Sequence, residues 1–219
     1  MRQIEMVGVV LARILRIARD GRPGEALGLF EEAYQPLLGV SARVVSTLSD
    51  EQLLSLLTSG SMPDLRRVAT VLELLKIEAD LHGQAGGHAA AAARYRRALA
   101  LAGFLAARSE ALLDAAIAAD LAGRAAAMEL SAAQRLQLAR VLEALGRYAD
   151  AEDALFEAID ADPDDAGPVE AAIAFCQRLL ALDPERLAAG GLPVDEVKAS
   201  LAELLRRQPV VGDDAPPAW

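Results

Sequence analysis

Apolar residues recur every three or four positions along almost the whole chain, which is the spacing of one buried face on an α-helix. The pattern is interrupted at glycine and proline, residues that typically separate one helix from the next. These breaks predict about nine helices, among them 3–20, 23–38, 49–58, 61–82, 88–107 and 109–122.

Two of the predicted helices begin with a recognisable cap. Ser49 followed by Gln52, and Ser131 followed by Gln134, have the spacing of a capping box, in which each side chain bonds the backbone N–H of the other residue. Because this motif satisfies donors that a helix start leaves unpaired, it fixes the start to within a residue. We therefore expect helices to begin directly after both serines.

Composition supports an all-α fold in one domain. Of 219 residues, 47 are alanine and 36 are leucine, whereas the strand-favouring aromatics comprise one Trp, three Tyr and four Phe. The length suits one domain with an added element, and we expect a single helical domain over 1–208. Segment 209–219 has three prolines and no periodicity, and is predicted to be disordered.

An internal repeat follows three glycines. Gly21, Gly86 and Gly146 are each followed by a small residue at offset 5, a large one at offset 9 and a small one at offset 12. The glycine would end the first helix of a pair, and the small residues would let the second helix approach it closely. The aligned positions are Ala26, Phe30 and Ala33; Ala91, Tyr95 and Ala98; and Ala151, Leu155 and Ala158.

The third copy, LARVLEALGRYADAEDALFEAIDADP, resembles one complete tetratricopeptide repeat of about 34 residues. The residues that carry the resemblance are Ala139, Leu142, Gly146, Tyr148, Ala151, Ala158 and Pro163. The glycines lie 65 and 60 residues apart, so the resemblance implies an irregular α-solenoid of antiparallel helix pairs, with extra helices at 49–58 and 109–122. An alanine-rich bundle without repeats would show similar spacings, and that alternative stays open.

The whole chain also resembles a family of uncharacterised bacterial proteins. These begin with an RQIE segment and a VLARIL-like helix, and carry an SDEQLLSLL-like insertion before the second helix pair. This resemblance supports the fold and implies nothing about activity.

Charge and targeting signals exclude several classes of function. A net charge of -10 argues against general nucleic-acid binding, which needs a basic face. The apolar run 6–17 is interrupted by Arg13 and Arg16, so it predicts neither a signal peptide nor a membrane span. The single Cys176 cannot form an intrachain disulfide, which favours a reducing compartment. We expect a soluble cytoplasmic protein.

Negative charge is concentrated in 148–177, which contains nine acidic residues and no Lys or Arg. A solvated helix face with a capped turn explains such a run, and so does a docking surface for a basic partner or for a second subunit. Segment 1–22 carries five arginines against two acidic residues, so the two regions are electrostatically complementary.

Candidate chemistry is sparse. Catalysis by a cysteine–histidine pair would need Cys176 near His82 or His88. The apolar neighbours of Cys176 instead predict a core thiol, and both histidines occupy packing positions of the repeat. A calcium loop starting at Asp160 would need Gly where Asp165 stands, and no glycine-rich phosphate loop is found. The expectation is no cofactor, no metal and no enzymatic activity.

The tetratricopeptide resemblance implies a groove lined by the first helix of each pair. Its positions correspond to Arg19, Glu73, Lys76, Asp80, Gln84, Leu136, Arg140 and Glu143. A carboxylate clamp is not predicted, because Asp80 stands where such a clamp has asparagine. Ordinary pairing along a helix, such as Lys76 with Asp80, is the alternative interpretation of these residues.

These observations predict a protein-interaction module or scaffold that binds a peptide or protein partner. The alternative is a structural subunit whose apolar faces serve only homo-oligomerisation. Helix 3–20 is apolar around much of its circumference, which predicts a homodimer or small homo-oligomer. Cover by the C-terminal helix, through Val197, Leu201, Leu204 and Leu205, is the competing explanation.

Overall fold

The computed structural model describes residues 2–58 and 64–207, and in these ranges the chain forms α-helices and one 3₁₀ turn without any strand. The thirteen helices are α1 (Arg2–Arg19), α2 (Pro23–Leu27), α3 (Phe30–Leu38), α4 (Ala42–Thr47), α5 (Asp50–Thr58), α6 (Leu65–Gln84), α7 (His88–Ala106), α8 (Ala115–Ala125), α9 (Ala132–Ala144), α10 (Tyr148–Ala161), α11 (Ala166–Leu179), α12 (Pro184–Ala189) and α13 (Val194–Arg207). The all-α prediction is confirmed. The predicted start at residue 61 and the predicted disorder of 209–219 lie outside the described residues.

The helix count is higher than the predicted nine because short helices are capped individually. The predicted helix 23–38 is broken at Gly28 and Leu29 into α2 and α3. Side chains of Ser41 and Asp183 accept backbone N–H groups at the starts of α4 and α12, which sequence analysis did not predict. The predicted helix 109–122 is wrong at its start, since Asp114 caps α8 after the 3₁₀ turn.

Both predicted capping boxes are present. Gln52 N donates to Ser49 Oγ at 3.1 Å while Ser49 N donates to Gln52 Oε1 at 2.8 Å. The Ser131 and Gln134 pair repeats this arrangement at 3.3 and 3.1 Å. The starts of α5 and α9 are therefore fixed by local side-chain chemistry.

The internal repeat corresponds to the packing of the core. Gly21, Gly86 and Gly146 have φ values of +76°, +80° and +71°, a left-handed conformation that glycine adopts without a Cβ penalty. All nine residues at offsets 5, 9 and 12 after these glycines are buried. The repeat thus identifies the residues that pair successive helices.

Helices pack mainly on their neighbours in the chain. α1 packs on α2, α3 and α6; α6 pairs with α7, and α9 with α10; α7 packs on α9; and α11 contacts α10 and α13. The buried residues form two cores, one mainly from α1–α8 and one mainly from α9–α13, and Leu138 and Leu145 pack against both.

No helix in the described part of the chain is both long and apolar enough to cross a membrane.

Candidate functional site

Four charged side chains and a tyrosine meet where α6, α7 and α8 come together. Lys76 Nζ lies 2.8 Å from Asp80 Oδ2 and 3.3 Å from Asp120 Oδ2. Arg124 reaches the same two carboxylates, at 3.2 Å for Asp80 and 2.9 Å for Asp120, and its guanidinium lies 4.5 Å from the centre of the Tyr95 ring. Tyr95 Oη donates a hydrogen bond to Asp80 Oδ1. We call these five residues the Asp80 cluster.

The Asp80 cluster is electrically neutral, and its contacts stabilise the charged forms of Lys76 and Asp120 and the neutral form of Tyr95. Burial lowers the pKa of Lys76, but hydrogen bonds and charges from Asp80 and Asp120 outweigh burial and raise it above its ordinary value. Burial raises the pKa of Asp120, whereas hydrogen bonds from Arg124 and Lys76 bring it below its ordinary value. Burial and the bond to Asp80 raise the pKa of Tyr95. The cluster is built to position groups rather than to exchange protons.

Beside the cluster lies an open cavity of about 750 Å³, here called the Asp80 groove. Its polar lining residues are Asp80, Gln84, His88, Tyr95 and Arg124. Its apolar lining residues are Ala91, Ala92, Ala127 and Met128. The groove therefore combines small apolar side chains with several hydrogen-bonding groups.

A smaller cavity of about 210 Å³ continues on the other side of α6. Asp80 and Gln84 line it together with Arg19 of α1, so three of the residues predicted from the repeat lie around adjoining spaces. Lys76 contributes through its ion pair with Asp80, which is the helical i,i+4 pairing weighed as the alternative. Glu73 is exposed on α6 and lines none of these cavities.

The remaining predicted residues meet at a separate place, between α9 and α11. Leu136, Arg140 and Glu143 line a narrow cavity of about 130 Å³ that Phe175 and Arg178 close from α11. Arg178 binds Glu143 in a two-pronged contact, with N–O distances of 2.8 and 2.7 Å. Arg140, Glu143 and Arg178 also line a neighbouring cavity of about 360 Å³. The eight predicted residues therefore do not form a single site.

The structure places a carboxylate in the core that sequence analysis missed. Glu78 is 5% exposed; Tyr34 Oη donates to Glu78 Oε2 at 2.7 Å, and Arg94 Nε lies 2.9 Å from Oε1. His82 Nε2 lies 3.7 Å from the same oxygen. Since a buried charge is tolerated only when it is paired, this network joins α3, α6 and α7. An acidic residue on an apolar helix face was the signal available in the sequence.

Arg97 extends this polar interior to the end of α4. Its guanidinium donates to the carbonyl oxygens of Val45, Ser46 and Leu48, of which the bond to Ser46 is 3.1 Å long. These carbonyls end a helix and have no intrahelical donor, so the arginine takes the place of a C-cap. This contact anchors the end of α4 to α7.

Cysteine, histidine and acidic residues do not combine into a reaction centre in the described residues. Cys176 is 1% exposed, and burial, followed by the charge of Glu152, raises its thiol pKa to about 11. The predicted core thiol is confirmed. Asp165 accepts from Gly167 N at 2.9 Å and caps α11. No group of three metal-ligating side chains is found in the described ranges.

The chain matches a family of unknown function, DUF6483, over residues 1–208. No curated protein and no solved structure matches it. The match spans all thirteen helices, the four cavities and the polar interior. The chain belongs to the DUF6483 family.

Proposed function

We propose that this protein is a non-catalytic, tetratricopeptide-like interaction module that binds a peptide or protein partner in the Asp80 groove. The observation that carries the proposal is the groove itself, an open cavity of about 750 Å³. Its alanine and methionine residues offer apolar contact, and its polar residues offer a few hydrogen-bonding groups, which is the usual composition of a ligand site. Gln84 and His88 supply amide and imidazole groups for a peptide backbone.

The charge pairing at the groove favours binding over catalysis. Asp80 and Asp120 are each held by both Lys76 and Arg124, so neither carboxylate is poised as a general base. The one thiol, Cys176, belongs to the other core. These ion pairs hold the charged side chains of the groove in place before a partner binds.

Two local features support the tetratricopeptide likeness. The three repeat glycines each adopt a left-handed conformation, and the small residues that follow them are buried between paired helices. The buried reduced thiol of Cys176 is compatible with the reducing cytoplasm, where we place the protein.

Peptide selection tests the proposal directly. Peptides would be selected from a random displayed library on the wild-type protein, and their affinities compared with those for Ala92→Trp, which fills the groove from α7. We expect Ala92→Trp to weaken the selected peptides by at least about tenfold. The matched control is Ala89→Trp, an exposed alanine on the same helix that lines none of the described cavities.

The two variants distinguish binding in the groove from nonspecific binding. Retained affinity for Ala89→Trp with loss for Ala92→Trp supports the proposal. Equal affinity of the selected peptides for both variants would place binding elsewhere and refute the groove as the site. Circular dichroism of both variants confirms that the helices remain folded.

The structural-subunit alternative is favoured by one observation, the exposed apolar face of α1. Met6 and Val9, which lie about one helical turn apart on the same side of α1, are 51% and 73% exposed. The helix expected to cover them, α13, instead packs on α11 and α12, with Val197 and Leu204 buried in the second core. Burial of this face in a homodimer would remove it from water.

Light scattering across a concentration series tests the alternative. A mass twice the 23.1 kDa of one chain, abolished by Val9→Glu and retained in Val44→Glu, supports self-association through α1. Val44 is the control because it is also exposed and apolar but lies on α4. A monomer mass at every concentration refutes it.

A further inference from the structure

Two arginines, Arg140 and Arg178, line the cavity of about 360 Å³ between the end of α7, α9 and α11, here called the arginine cavity. Glu143 lines it as well, and the other lining residues are small alanines. A third arginine, Arg108, follows two of these alanines, Ala106 and Ala107, directly in the chain.

Only one of these arginines has a carboxylate partner among the described residues. Arg178 donates two hydrogen bonds to the two carboxylate oxygens of Glu143. Arg140 donates to the amide oxygen of Gln137 at 3.2 Å, and Arg108 lies 3.9 Å from the centre of the Phe104 ring. Neither Arg108 nor Arg140 forms an ion pair within the described ranges. The three arginines carry three positive charges and Glu143 carries one negative charge, so two positive charges have no counter-charge.

The charges of the neighbouring arginines act on Arg140. Burial, and then the charges of Arg108 and Arg178, lower the pKa of Arg140 from its ordinary value. Arginine stays charged at neutral pH even so, because its ordinary pKa lies far above that range. This concave surface has excess positive charge although the protein has a net charge of -10. A bound anion would reduce the repulsion among the arginines.

We propose that the arginine cavity binds a phosphate group in its dianionic form. A phosphate monoester carries close to two negative charges at neutral pH, which matches the uncompensated charge, whereas one carboxylate would leave half of it unmatched. Guanidinium groups bind phosphate oxygens through paired N–H donors, and Arg140 has donors that Gln137 does not use. The cavity is much larger than phosphate, so it accommodates part of the molecule that carries the group.

This site is independent of the proposed function. It lies between α9 and α11, and it shares no lining residue with the Asp80 groove. Its test uses inorganic phosphate and no peptide, so either proposal can fail while the other stands.

Titration followed by ³¹P NMR and calorimetry tests the site, with inorganic phosphate added to the full chain and sodium acetate at matched ionic strength as the comparison. We expect saturable phosphate binding that Arg140→Gln weakens by about tenfold or more, the worth of a hydrogen bond to a charged group. Arg108→Gln is a second variant with the same expected direction. Arg135→Gln is the matched control, since Arg135 lies on the same helix but pairs with Glu157.

The outcomes are decisive in both directions. Loss of binding in Arg140→Gln and Arg108→Gln, with binding retained in Arg135→Gln, supports the site. No saturable binding, equal binding in all variants, or acetate binding as tightly as phosphate overturns it. O-Phosphoserine and glycerol 3-phosphate then distinguish a modified protein side chain from a small phosphorylated molecule, because the tighter of the two identifies the source of the group.

Discussion

A single methyl group added at Gly103 tests the junction between the helix pairs. Gly103 lies on α7 where this helix crosses α9, and it is buried. A Cβ at this position would lie 2.8 Å from Gln137 Cβ and 2.9 Å from Gln137 Cα, and would also contact Gln137 Oε1. The amide oxygen can rotate away, but the Cα belongs to the backbone of α9. Gly103→Ala therefore requires the two helices to separate.

The size of the effect follows from two opposing contributions. Alanine favours the helical state over glycine by roughly 1 kcal/mol. Forcing an extra carbon into a packed crossing costs about 1 to 3 kcal/mol, and contact with backbone atoms favours the upper part of this range. We expect Gly103→Ala to lower the free energy of unfolding by about 1 to 2 kcal/mol. For a chain of this length that corresponds to a decrease in Tm of roughly 2 to 8 °C.

Thermal and denaturant unfolding, followed by circular dichroism, measure this change. The matched control is Gly123→Ala on α8, where an added Cβ meets nothing within 4 Å. The control should gain about 0.4 to 1 kcal/mol, because it acquires helix propensity without a clash. If Gly103→Ala were stabilised as much as Gly123→Ala, α7 and α9 would not approach each other as described.

Three further predictions concern the second core and metal binding. Ala151→Leu should lower stability by about 1 to 3 kcal/mol in thermal melts, because Ala151 is fully buried between paired helices; an unchanged Tm contradicts the repeat alignment. Burial raises the pKa of Glu152 above 4.5, so its ionisation disfavours the folded state. Wild type should therefore lose stability relative to Glu152→Gln as pH rises through and above that value; parallel pH profiles for the wild type and Glu152→Gln would refute this. Prolonged treatment with EDTA should leave the helical circular dichroism unchanged, since no metal-ligating group of three was found in the described residues; a cooperative loss restored by calcium would contradict it.

The sequence predicted those parts of the fold that depend on neighbouring residues. Capping boxes at Ser49 and Ser131 act over three residues, so their spacing is sufficient to locate a helix start. The left-handed glycines and the small residues after them are likewise tied by fixed offsets within one helix pair. Short helices such as α4 and α12 were missed because a few residues give too little periodicity to recognise.

The candidate sites depend on contacts between distant parts of the chain, which spacing alone does not reveal. Lys76 and Asp80 are visible as an i,i+4 pair, but Asp120 and Arg124 join them only because α8 folds back onto α6 and α7. The uncompensated charge at Arg140 likewise depends on Arg178 of α11 and on Arg108, which follows α7. The residues predicted from a regular repeat therefore line separate cavities, and Glu73 lines none of them.

The Asp80 groove depends on the inserted helix α8, whereas the arginine cavity does not. α8 is one of the insertions that make the glycine spacing longer than a regular repeat, and it supplies Arg124 to the Asp80 groove, while Ala127 and Met128 follow directly after it. A regular array would have no α8, so this groove exists because the repeat is irregular. The arginine cavity lies instead beside α9 and α11 at the end of α7, and none of its lining residues belongs to α8. Changes to the α8 insertion should therefore alter peptide binding and leave phosphate binding in place.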